Sequence, residues 1–137
     1  MASENRTKQK EQPRTKGTVC GMPRSELSTV STVRVAAEKL FRGSRASHDW
    51  DHTLRVLRLC EHIGPREGAD MEVLLIAACL HDIGRCCQDQ SNGAVCHAQH
   101  GARMAAAIVE ALPLSPERKA NILHCIRSHR FRGAEAP

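Results

Sequence analysis

Eight histidines in 137 residues pose the first question, because imidazole binds borderline metals and moves protons near neutral pH. The most informative is His81, followed directly by Asp82 in the run AACLHDIG, where an apolar segment ends. A buried helix that finishes in an imidazole and a carboxylate delivers two adjacent metal ligands to a partly dry place, with Gly84 as the stop signal. Taken alone, the pair is matched by a structural alternative in which Asp82 satisfies its own loop and His81 packs. His52, in SHDWDHTLRV, shifts that balance. Antiparallel packing of its helix against the one ending at His81 brings the start of one beside the end of the other. His52, His81 and Asp82 then make a half-shell for a hard or borderline divalent metal. His48, four residues earlier, shares the face of His52 either as a supporting or substrate-facing group or as a solvated cap.

The elements that must position these residues are helical. Val30, Val33, Ala37, Leu40 and Phe41 recur at three- and four-residue intervals and predict a helix from about Ser28 to Gly43. Ser47 caps a second, with Trp50, Leu54, Leu57, Cys60 and Ile63 on one face up to Gly64. Asp70 caps a third that runs to about Asp82, apolar nearly all round and therefore central. Residues 85–95, with Ser91-Asn92-Gly93 as the turn signal, read as a loop. A fourth helix follows from about Ala98 to Leu112, turning Met104, Ile108 and Val109 inward. Ser115-Pro116-Glu117 opens a fifth, which carries Ile122, Leu123 and Ile126 and frays near Arg130. No period-two strand or internal repeat interrupts the pattern, so the fold class is all-α: a single helical domain of about five helices over 25–137, behind a disordered basic tail at 1–24.

Composition narrows the function classes. The apolar fraction of 41% supports one modest core, and the longest apolar stretch, Val73 to Leu80, falls far short of the roughly 20 residues a membrane span needs. No apolar segment follows the basic N-terminus as in a secretory signal, so the expected location is cytoplasmic, with no membrane partner. Seven cysteines, an odd number, argue against a disulfide framework. The net charge of +5 is concentrated: residues 1–24 hold six basic and two acidic side chains, whereas the rest holds fourteen and thirteen. With Phe41, Trp50 and Phe131 the sole aromatics, there is no stacking platform for bases, and sequence-specific nucleic-acid binding is not expected.

At this point the motifs resemble a known family. SHDWDHTLRV and AACLHDIG match the first histidine and the paired histidine and aspartate of the HD-domain phosphohydrolases, in the small stand-alone bacterial form, over roughly Ser28 to the end. The resemblance implies metal-assisted hydrolysis of a phosphoester or phosphoanhydride in a small phosphorylated substrate such as a nucleotide. The metal, held by His52, His81 and Asp82, would be manganese, magnesium, zinc, iron or cobalt. CHAQHGARMA and CIRSHRFRG resemble further segments of the nucleotide-acting members, which implies that His97 and His129 act beside the metal, as second-metal ligands or on the scissile phosphate. Arg130 and Arg132 are then placed to pair with phosphate, against a plain reading as solvated C-terminal cations. His62, His100 and His124 match no family position and read as surface or helix-face residues.

The sequence also departs from that family. Its closing aspartate, carried by a later helix, has no counterpart, since the last aspartate here is Asp89. The expectation is a chain cut short of that helix, in preference to a degenerate member or a subunit whose partner supplies the carboxylate. An uncovered apolar patch should follow. Three protein ligands still suffice for a catalytic zinc, whereas octahedral manganese or magnesium would lose more affinity. A different class of function remains open: a non-catalytic interaction domain that forms homo-oligomers through the uncovered face. A zinc site built from Cys86, Cys87, Cys96 and His97 is the weaker alternative, because adjacent cysteines lack the usual two-residue spacer. The ligand types also leave di-iron oxygen chemistry open.

Overall fold

The computed structural model describes residues 21–42 and 47–130, with the side chains of 47–49 left aside. The region of the expected basic tail before residue 21 lies outside the described residues, as do Phe131, Arg132 and the side chain of His48. Six helices make up the described fold, with no strand among them: α1 (Arg24–Arg42), α2 (Ser47–Ile63), α3 (Met71–Leu80), α4 (Arg85–Gln90), α5 (His97–Glu110) and α6 (Pro116–Ser128). The all-α reading holds. Its one addition is α4, in the segment expected to be loop. The six residues RCCQDQ have no apolar period, and their short helix is shaped by what it packs against. The turn signal behind it holds, with Asn92 and Gly93 in the left-handed region at φ 51° and 84°.

The apolar character of α3 makes it the centre. Eight of its ten residues are buried, and it packs against α1, α2, α5 and α6. Ile76 and Leu80 meet Ile122 and Ile126 of α6 in a core where all four are fully enclosed. Each such side chain contributes about 1.5–3 kcal/mol of burial free energy. Val33, Ala37 and Phe41 are the buried stripe of α1, while Leu40, expected on that stripe, lies on its flank with 43% of its surface exposed. On α2 the expected face holds through Leu57 and Cys60, but Ile63 ends the helix outside the core at 48% exposed.

Local signals fix both ends of the central element. The Asp70 carboxylate accepts from the Val73 amide at 3.2 Å, capping α3 as the sequence implies. Ser115 caps α6 in the same way, with Pro116 in its first turn. At the other end of α3, Gly84 has φ −89°, a conformation open to any residue, so its need is spatial. A Cβ there would sit 2.5 Å from the His97 carbonyl and 2.6 Å from the Gly101 amide. Backbone thus crosses backbone where the turn after α3 meets the first turn of α5, and that crossing sets His97 beside Asp82.

Candidate metal centre

Asp82 is the hub. Its side chain is 1% exposed, and the two carboxylate oxygens face different partners. Oδ2 lies 3.8 Å from His52 Nε2 and 3.5 Å from His81 Nε2, and it accepts from Arg85 Nη2 at 2.8 Å and Nε at 3.0 Å. Oδ1 lies 3.1 Å from His97 Nε2 and 3.5 Å from His129 Nε2. Ends of five helices therefore converge on one carboxylate: the start of α2, the turn after α3, the starts of α4 and α5 and the residue after α6. Among the described residues two groups could hold a metal ion, His52 with His81 and Asp82, and Asp82 with His97 and His129.

The outer nitrogens decide what the inner ones offer. His81 Nδ1 lies 2.7 Å from the Ala78 carbonyl, and His129 Nδ1 lies 2.7 Å from the Ile126 carbonyl. A carbonyl only accepts, so both Nδ1 atoms carry the proton. Gln88 Oε1 accepts from the His97 amide and from Arg130 Nη1, which fixes it as the oxygen, and it therefore also accepts from His97 Nδ1 at 2.8 Å. In the neutral rings Nε2 is then a lone pair aimed inward, the tautomer that metal-binding histidines adopt.

This leaves acceptors facing acceptors. His97 Nε2 and His129 Nε2 are 3.1 Å apart, and beside them Asp82 Oδ1 is buried with no hydrogen-bond partner. An orphaned buried carboxylate oxygen is costly, and a cation among these lone pairs would satisfy all of them. The donor set therefore fits a divalent ion. Burial pushes the Asp82 carboxyl up, yet the carboxyl is held well below the usual carboxylate range, with the Arg85 guanidinium bonded to Oδ2, so the site presents a charged carboxylate at pH 7. Burial is also the main cause that lowers His97 to about 4, so its ring is neutral and free to ligate at pH 7.

Residues 49–136 match the HD domain family. This chain belongs to the HD domain family. HD domains typically bind divalent metals, in keeping with the His and Asp groups here. The chain is also similar to the uncharacterized protein YpgQ of Bacillus subtilis (strain 168), 33% identical over 58 residues. That alignment covers 42% of this chain and 28% of YpgQ, so the chain spans under a third of that relative. No solved structure matches.

The HD geometry sorts the sequence-derived residues. His52, His81, Asp82, His97 and His129 come together, and Arg130 reaches the same cavity of about 180 Å³. Asp89 is exposed on α4 and joins neither ligand group. Cys86, Cys87 and Cys96 form no group with His97, whose two nitrogens are directed at Gln88 and Asp82. His62 is exposed beside Arg66, as expected of a surface residue, and neither His100 nor His124 lines the cavity. Arg85 and Gln88 went unread in the sequence although both line the site. The available signal was Arg85, three residues after Asp82 and so within reach of it on any helical turn.

Proposed function

We propose that this chain is a metal-dependent phosphohydrolase acting on a phosphoester or phosphoanhydride of a small substrate, with nucleotides as the first class to try. The observation that supports it most is the buried, unpartnered Asp82 Oδ1 among inward-facing histidine nitrogens. His52, His81 and Asp82 would hold one divalent ion, manganese, magnesium, zinc, iron or cobalt. His97 and His129, beside Asp82 Oδ1, would hold a second ion with it or contact the scissile phosphate. A bound ion lowers the pKa of a coordinated water and polarises a phosphoryl oxygen.

The remaining roles fall to the protein. Asp82 spans the two ligand groups, which sets their spacing. Gln88 holds His97 by its outer nitrogen and carries Arg130, whose guanidinium faces the cavity. Arg130 binds a non-transferred phosphate oxygen through its donor fork. Arg85 neutralises Asp82 and lines the same cavity, where its guanidinium would be within reach of a substrate phosphate. Arg132, two residues on, is proposed as a second phosphate contact.

The test is His81→Ala. This variant should keep the helical fold, lose manganese binding and lose any manganese-dependent release of phosphate from nucleotide substrates. Unchanged turnover in the folded variant would refute the assignment.

A further inference from the structure

A second cavity adjoins the ligand set and differs from it in chemistry. It holds about 410 Å³, against about 180 Å³ on the carboxylate side, and His52, His81 and His129 border both. Beyond those three rings its lining is Val56, Leu74, Ala77, Ala78, Cys60 and Cys125. Among the described residues, no carboxylate, amide, hydroxyl or cationic side chain stands in that lining. Burial raises both thiols, Cys60 with help from the Glu61 charge, so these walls are neutral at pH 7.

We propose that this cavity seats the organic part of the substrate and that the substrate is the phosphate monoester of an apolar alcohol, such as an alkyl or aryl phosphate. The proposal rests on the phosphohydrolase reading above and replaces the nucleotide, the first class to try there, with an apolar ester. Adjacency carries it: the same three histidines line both cavities, so a phosphate bound on the carboxylate side would have its ester substituent beside the apolar one. The volume is that of a small-molecule site, about 300–1,000 Å³ in general. The lining chooses the class. A nucleobase or sugar would bring buried donors and acceptors to walls that cannot pair them, whereas a hydrocarbon loses nothing there. In the reaction the water oxygen bonds to phosphorus as the bond from phosphorus to the ester oxygen breaks. The proton given up by the water ends on the departing alcohol, and inorganic phosphate remains.

Non-hydrolysable ligands separate this claim from the one beneath it. Manganese-loaded protein is titrated with methyl-, butyl- and octylphosphonate while sedimentation follows its oligomeric state. Affinity should rise about four-fold per added methylene until the cavity is full. Cys125→Phe, which fills the cavity from α6, should flatten the series while manganese still binds. Cys60→Met, filling it from α2, should do the same if the first variant does not fold. Equal affinity for methyl- and octylphosphonate, or tighter binding of a nucleoside monophosphate, would overturn the apolar-ester proposal and leave the hydrolase reading standing. Manganese binding with no phosphonate bound at any length would instead remove the hydrolase reading itself. A dimer that octylphosphonate dissociates would assign the cavity to a second copy of the chain and overturn the proposal.

Discussion

The two ends of α3 solve the same problem in opposite ways. Each places a buried carboxylate at the end of the most enclosed helix. At the N-terminal end Glu72 is 3% exposed and meets Arg118 Nη1 at 2.7 Å, while the same guanidinium donates to both oxygens of Asp70 at 2.6 and 2.8 Å. That end is closed by its own protein partner. At the C-terminal end Asp82 has a cation on one oxygen only, and its other oxygen faces imidazole lone pairs. The clamp therefore serves stability, and the open carboxylate keeps the unmet pairing that an ion would complete under the proposed function. The difference is one of completed pairing, since the degree of burial is alike.

Acidification should separate the ends most strongly in metal-free protein. His97 is lowered in the fold to about 4 from an ordinary 6.5, so the unfolded chain binds the proton first. Its contribution is complete above pH 6.5 and is lost as pH falls toward 4, on the order of 3 kcal/mol. At the clamp, the hydrogen bond from Arg118 is the largest cause holding Asp70 below its usual range, so that contribution is whole above pH 4 and is lost only below it. Chemical denaturation across pH 4–7 should show a loss that His97→Gln abolishes and Arg118→Ala leaves in place. An equal loss in His97→Gln would break the comparison.

Arg118→Ala addresses the closed end. It strands Glu72, but Arg118 is 30% exposed, so the loss should be about 2–3 kcal/mol, below the range for fully buried pairs. Denaturant midpoints measure it, and a change under 0.5 kcal/mol, about the scatter of ordinary surface substitutions, would mean that water replaces the clamp. The smallest of the three effects is expected at Gln88. Gln88→Ala frees the outer nitrogen of His97 and should weaken manganese binding about 10–100-fold with little loss of stability. Unaltered affinity would show that Gln88 does not orient the ring.

How much of this was legible in the sequence follows from the range of each interaction. The caps at Asp70 and Ser115 and the apolar run of α3 are local and were readable. So was the meeting of His52 with His81 and Asp82, because antiparallel packing of neighbouring helices leaves few alternatives. The contact of Arg118 with Asp70 joins residues 48 apart and leaves no trace in periodicity. Gln88 was hidden by α4, whose polar residues carry no helical stripe, and the close approach at Gly84 was masked by its resemblance to a simple helix stop. His97 and His129 came from motif resemblance, and the geometry supplied what the motif lacked: the direction of each ring nitrogen.

The most direct test of the contrast between the two ends is a calorimetric titration of manganese into chelator-treated protein, run in parallel on Asp82→Asn and Arg118→Ala. The account predicts binding to the unaltered chain, the same affinity in folded Arg118→Ala, and at least about a 100-fold loss in Asp82→Asn, worth roughly 3 kcal/mol. Equal binding in all three, or loss of binding in folded Arg118→Ala alone, would contradict it.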